Sequence, residues 1–374
     1  MKDMLQDRTP FSGSYAAGDI DFLLKPVRID ATGIDAKEAA IQSGKRHYSE
    51  MISEEARPDD RYLSIFRAAW AAGRERIACE VMAIAREIRD RIEDGRLPRQ
   101  ISLCSLVRAG APLGVLIHRA LRDLGVDSAH YGISIIRDRG IDMNAMSHVM
   151  RMRDPDGIIF VDGWTGKGAI TRELHATWRE NTGRRPTLVV LADPGGLADI
   201  AGSTEDWLIP SGILGANISG LISRSILNSD VIGEGDFHGF IQVHHLADID
   251  MSTAFVDDIH ALMPAHLEGP SAVAQNFSAE DGIVTRDLTL RAAETIETVK
   301  STFAIENPNR VKPGIAEATR AVLRRKPHHV LISSVADADL SALIHLCRTG
   351  AVDFSVRPDL TGPYRAITII EKVS

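Results

Sequence analysis

A chain of 374 residues, 44% hydrophobic and 25% charged, holds enough apolar material for two domains, or one large domain with a satellite. No apolar run approaches the roughly 20 residues that cross a bilayer, and the opening MKDMLQDRTP is charged where a secretion signal would be apolar. A cytoplasmic protein with no membrane partner is therefore expected. Cys79, Cys104 and Cys347 lie far apart, which argues against a disulfide framework or a cysteine zinc site and for small buried hydrophobes. The adjacent histidine pairs at 244–245 and 328–329 do not have the spacing of a metal site. The net charge of −8 is uneven: from Asp281 onward 13 Lys+Arg face 11 Asp+Glu, and the body before it carries −10. A mild basic tilt in the last quarter suits a nucleic-acid partner there, and the acidic body does not.

In chain order, residues 1–60 form a mixed aromatic and polar segment. Residues 61–94 carry apolar side chains at helical spacing, stopped by Gly95 and Pro98. The pattern then alternates. Strands are expected at 101–107, 130–136, 157–162 and 187–193, and helices at 112–124 and 169–181. Short apolar runs between such helices predict a parallel sheet with crossover helices, whose ligands bind beyond the carboxyl ends of the strands. A Pro/Gly/Ser-bearing stretch at 264–281 predicts a boundary. Beyond it, helices at 288–303, 314–325 and 338–348 and strands at 329–334 and 364–371 predict a small α/β domain. The expected domains are 1–268, with 1–60 a hood segment, and 281–374.

The sharpest local signal is IIFVDGWTGKGAITREL at 158–174. A buried strand ends in Asp162, a glycine turn follows and a helix starts. Glycines at 163, 166 and 168 let the backbone approach a ligand, so amides from Thr165 to Ala169 can converge on a phosphate at the helix N-terminus. Thr165 can add a hydroxyl and Lys167 a charge. The spacing is that of neither a Walker A loop nor a GxGxxG fingerprint.

This segment resembles the signature of type I phosphoribosyltransferases, the orotate type in particular. In that family the turn amides of Thr165, Gly166, Lys167, Gly168 and Ala169 would hold a 5-phosphate, and acids at the strand end would bind ribose hydroxyls. Asp162 takes the first acidic place; Gly163 stands where the second acid belongs. Upstream, Arg108, Ala109 and Gly110 match the family's diphosphate loop, and Arg137, Asp138, Arg139 and Gly140 its mobile loop. The resemblance implies a type I phosphoribosyltransferase-like parallel sheet with flanking helices. It also implies a Mg²⁺-dependent pentosyl transferase acting on phosphoribosyl diphosphate or a nucleotide. Asp162, Arg137 and Arg139 would be catalytic, and Asp162 would be the metal-side carboxylate. His47, Tyr48 and Glu50 in the hood, with Asp236 and His238, are candidate acceptor contacts.

The segments FSGSY, DIDFLL, QSGKRHYSEM, SGILGANISGLISRSIL and DFHGF, with the core motifs, resemble the bacterial StiP-type proteins of tellurite-resistance and stress operons. That resemblance implies a nucleoside-like metabolite, a homodimer, other stress-operon enzymes as partners, and a C-terminal Pelota-type domain. RVKPGIAEATRAVLRRKP at 310–327 resembles the Pelota helix start, with Ala316 in place of Asn. Lys312, Gly314, Glu317, Thr319 and Arg320 would then meet structured RNA, and Arg310, Arg324 and Arg325 its phosphates. Two alternatives stand beside the transferase: a non-catalytic sensor of a phosphoribosyl ligand that binds RNA, and a hydrolase, because the family carries a cysteine-protease label. Cys104, inside an apolar strand, is a poor nucleophile.

Overall fold

The computed structural model describes residues 9–268 and 281–372, so part of the expected boundary at 264–281 lies outside the described residues. The first domain opens with two short strands, β1 (Asp21–Phe22) and β2 (Lys25–Pro26), and helix α1 (Ile34–Gln42). Helix α2 (Asp60–Glu93) follows, one continuous rod of 34 residues. Asp59 starts it by accepting the Tyr62 amide at 2.6 Å.

The alternating stretch runs β3 (Gln100–Val107), α3 (Gly110–Asp123), β4 (Asp127–Ile136), β5 (Gly140–Ile141), α4 (Met143–Met152), β6 (Ile158–Val161), α5 (Ala169–Thr182), β7 (Thr187–Ala192) and β8 (Ile200–Ser203). Its sheet has the order β1-β4-β3-β6-β7-β8, parallel throughout, with β5 antiparallel on β4. Both faces of β3 are covered. Ile101, Leu103 and Val107 point into the layer under α2 and α3, while Cys104 and Leu106 point into the layer with Trp178 and Leu174 of α5. This is why β3 reads as a continuous apolar run. Loops, β9 (Gly239–Phe240), which pairs β2, and α6 (Ser252–His260) complete the domain.

The second domain comprises α7 (Asp281–Thr302), β10 (Val311–Pro313), α8 (Ile315–Arg324), β11 (Pro327–Ile332), α9 (Ser341–Thr349), β12 (Phe354–Val356), α10 (Pro358–Thr361) and β13 (Ala366–Ile370). Its sheet order is β10-β13-β11-β12. The α/β class expected from the sequence is the class observed. Strands β10 and β12, three residues each, were too short for a periodic signal. No helix among the described residues is long and apolar enough to cross a membrane.

The domains pack tightly. Asp206 of the first accepts the Ile315 amide at the start of α8 at 3.0 Å and the Arg365 amide at 2.7 Å. Arg325 pairs with buried Glu38, and Gln42 reaches the Glu371 carbonyl at 3.1 Å. Between the domains lies a cavity of about 820 Å³.

Candidate anion site between the domains

The turn at 162–169 sits at the carboxyl edge of the sheet, where β6 hands over to α5. Val161 and Asp162 pack against Gly110: a Cβ there would lie 2.1 Å from the Val161 carbonyl oxygen. A Cβ on Gly163 would lie 3.3 Å from the Ala109 carbonyl. The two loops expected to share a ligand are thus adjacent. Gly168, at φ +79°, makes the left-handed step into α5.

Thr165 lines the cavity but is buried, and its hydroxyl is already engaged within the fold. Its hydroxyl donates to Asp193 at 2.5 Å and accepts the Gly195 amide at 3.1 Å, and its own amide goes to the Ala192 carbonyl. Asp193, which also accepts the Leu197 and Ala198 amides, is what holds the turn; the sequence offered no sign of it beyond its place after a strand. Among the described residues, the amides of Gly166, Lys167, Gly168 and Ala169 meet no acceptor, and all four residues line the cavity.

Asp162 accepts the Gly163 amide at 2.8 Å. Burial raises its pKa to about 7, against the opposing pull of that amide and of Arg320. Lys167 is bound to the second domain, donating to the carbonyls of Pro308 and, at 2.9 Å, Val311. Burial, then neighbouring Lys312, brings its pKa down to about 7. Glu317 stands opposite: its Oε2 lies 2.5 Å from where a Cβ on Gly166 would sit, and its other oxygen pairs with Lys312 at 3.3 Å.

Arg108 is 6% exposed and pairs with Glu55 at 2.6 Å. Burial would raise Glu55, but Arg108, Arg324 and the Ala216 amide outweigh it and hold its pKa at about 2. Arg137 donates its amide to the Tyr48 hydroxyl at 2.8 Å and its guanidinium to Asn309, while Arg139 pairs with Glu50 at 3.4 Å. The mobile-loop arginines and the hood residues His47, Tyr48 and Glu50 therefore meet, although only Arg137 and Tyr48 line the cavity. Asp236 and His238 lie outside it. Asp236 binds Lys25 at 2.6 Å, and the His238 ring bonds Ser134 at 2.7 Å.

The residues expected to touch RNA face inward. Lys312, Gly314 and Thr319 are buried, the Thr319 hydroxyl on the Ile315 carbonyl. Arg320 donates to the carbonyls of Gly212 and Leu214 and lies over the Trp164 ring, 4.9 Å from its centroid. A basic helix face reads the same whether it meets water or another domain, so this burial was not visible in the sequence. Glu55 and Arg224, which also line the cavity, carried no motif of their own, although Arg224 falls within the quoted 211–227 segment.

No cluster of three or more metal-ligating side chains occurs among the described residues. Asp162 offers one carboxylate, already engaged by an amide and held by burial near neutrality, and Gly163 offers none. This donor set does not fit a metal held by the protein alone.

The family model described as tellurite-like stress resistance cysteine protease StiP matches residues 13–260, and the PELOTA RNA binding domain matches 290–372. A curated relative from Acinetobacter baylyi, "Cysteine protease StiP", is 42% identical over 97% of this chain and 95% of its own. The chain belongs to the StiP family. Among solved structures, a hypoxanthine phosphoribosyltransferase of Trypanosoma cruzi is 17% identical over 36% of this chain and 82% of its own, with a TM-score of 0.28. The same enzyme in complex with IMP is 17% identical over 32% and 67%, at 0.25. Superpositions this loose carry no argument about activity.

The expected Mg²⁺-dependent phosphoribosyltransferase is overturned by these matches, because the StiP family and its curated relative are described as cysteine proteases, which are hydrolases. The site departs from a transferase in the same direction: the second acid is a glycine, Lys167 is tied to carbonyls, and a carboxylate faces the turn. Cys104 and Cys347 are buried as the sequence implied; Cys79, expected to be buried as well, is exposed because it lies on the outer face of its helix. Cys104 is fully buried, its pKa pushed up by burial, and Cys347 is buried with its pKa raised to about 11. Cys79 is exposed on α2, and none of the three lines the cavity.

Proposed function

We propose that the interdomain cavity binds a phosphate-bearing sugar or nucleotide, with phosphoribosyl diphosphate and nucleoside monophosphates as candidate ligands. The observation that carries this reading is the run of four acceptor-less amides, 166–169, opening into an arginine-lined cavity at a helix N-terminus. Four neighbouring amides without acceptors at a helix start suit an anion, and a phosphoryl group would satisfy several at once. Mg²⁺ would enter only as a counter-ion on the ligand's own phosphates, with Asp162 as the neighbouring carboxylate. Structured RNA is proposed as a second partner on the strength of the domain match. Because the α8 start faces the cavity, RNA would have to reach that helix through the cavity or part the domains. Calorimetric titration of the full chain tests the reading: saturable binding of a phosphorylated ribose is expected, and silence for phosphoribosyl diphosphate, ribose 5-phosphate and nucleotides alike would end it.

A second reading, thiol-dependent hydrolysis, is favoured by the descriptions of the family and of the curated relative. It requires a reactive cysteine beside a base, and Cys104 and Cys347 are enclosed. Peptide cleavage that is lost on alkylation, and lost in one Cys→Ala variant but kept in the other two, would establish it. Equal activity in all three variants would remove it.

A further inference from the structure

Helix α8 presents Arg320 and Arg324 one turn apart on the face that meets the first domain. Like charges at this spacing repel, and repel more strongly where water is scarce. From the first domain Arg108 and Arg224 join them, so four guanidinium groups lie near one another in the cavity lining. Glu55, on Arg108, is the one carboxylate paired with any of them among the described residues, and it is also engaged by the Ala216 amide.

Arg320 is held on the Gly212 and Leu214 carbonyls and Arg108 also on that of Ile222, but other donors lack partners. Arg324 makes no hydrogen bond or ion pair among the described residues. Arg224 satisfies its Nη2 on the carbonyls of Tyr48 and Met51, but its Nη1 is buried without a partner. Arg108 has a buried Nε in the same condition. Burial, and then the proximity of Arg108, pushes Arg324 down to about 10. These groups are also held in position: Trp164 lies under Arg320 at 4.9 Å, and Tyr48 beside Arg224 at 5.4 Å. Arg324 without a partner, the two buried unpartnered nitrogens of Arg108 and Arg224, and the pre-positioning of Arg224 and Arg320 suit an anion.

We infer that Arg320 and Arg324 of the second domain, with Arg108 and Arg224 of the first, form a second anion subsite in the same cavity as the 166–169 turn, reaching it through Arg320 on Trp164. The ligand class is then a sugar or nucleoside carrying phosphoryl groups at two separate positions. This rests on the proposed anion site but adds to it: the second domain supplies half of the binding charge, and a ligand with one phosphoryl group uses only the turn.

The test is calorimetry of the full chain without divalent cation, using phosphoribosyl diphosphate and ribose 5-phosphate as two-ended and one-ended probes. Wild type should bind the two-ended probe at least tenfold tighter. Arg324→Gln should shrink that ratio below threefold while leaving ribose 5-phosphate unchanged, and Arg324→Lys, which keeps charge without the two-pronged geometry, should fall between. With no ligand, Arg324→Gln should melt no lower than wild type. Equal affinity for the two probes in wild type, an Arg324→Gln variant that keeps the full ratio, or one that unfolds would each overturn the second subsite while the turn stands. Failure of both probes to bind would overturn the turn as well.

Discussion

Helices α5 and α8 begin in similar ways and end up in opposite states. Each follows a glycine with positive φ, Gly168 at +79° and Gly314 at +88°, and each directs its first amides at the other domain's side of the interface. At α8 a carboxylate from the first domain, Asp206, fills the position and accepts the Ile315 amide. At α5 no acceptor is supplied among the described residues, and the amides face the cavity. One helix start is closed by the protein itself and serves as a structural joint. The other is left open and is the proposed ligand site. A glycine-led helix start alone does not distinguish these roles; what fills it does.

The largest test of that contrast is removal of the filled cap. Asp206→Ala strips acceptors from the buried amide of Ile315 and the part-buried amide of Arg365. It should lower stability by about 3 kcal/mol, seen as a lower melting temperature and faster proteolysis between the domains. Asp206→Asn, which keeps one acceptor oxygen, should lose less than half as much. A melting temperature unchanged in Asp206→Ala would mean that the α8 joint does not hold the domains.

A smaller effect is expected at Asp162, on the open side. Its pKa is raised by burial to about 7 from the ordinary 3.8. The sign follows directly. The unfolded chain ionises this group from about pH 4 and the folded chain only near pH 7, so the cost to folding grows across that window and is complete above it. Asp162→Asn should therefore stabilise the ligand-free protein at pH 8, by about 2 kcal/mol once partial solvent access is allowed for, and by well under about 1 kcal/mol at pH 4. Equal effects at both pH values would show that the carboxyl is not held neutral.

The contrast also explains how much could be read in advance. The central strands β3, β4, β6 and β7 announced themselves because both faces are buried, so each is a short apolar block between helices of amphipathic pattern. The turn at 162–169 was legible because close backbone approach demands glycine. The interface was not. That Arg320 lies on Trp164 and the Gly212 carbonyl, and not on solvent, depends on residues more than a hundred positions away. Asp206, Asp193 and Glu55 are single carboxylates with no spacing rule to mark them, and each is defined by the amides or the guanidinium that folding brings to it. The inward placement of the expected RNA-contacting residues was hidden for the same reason, because a basic helix face carries no record of what covers it.

The smallest stability effect and the most specific functional one come from filling the open cradle. Gly166 does not have a positive φ, so alanine is conformationally permitted there. The new methyl would meet the Glu317 carboxylate at 2.5 Å and little else closer than the Pro313 carbonyl at 3.5 Å. Glu317 is the far end of a flexible side chain and can give way, so Gly166→Ala should change folding stability by less than about 1 kcal/mol. The displaced carboxylate and the methyl then occupy the space a phosphoryl group needs. Affinity for ribose 5-phosphate should drop at least tenfold, about 1.4 kcal/mol, with the melting temperature nearly unchanged. Asp206→Ala should show the reverse pattern, a large loss of stability and, while folded, intact amides at 166–169. Gly166→Ala melting far below wild type with binding retained would place the structural joint at α5 and dissolve the distinction between the two helix starts.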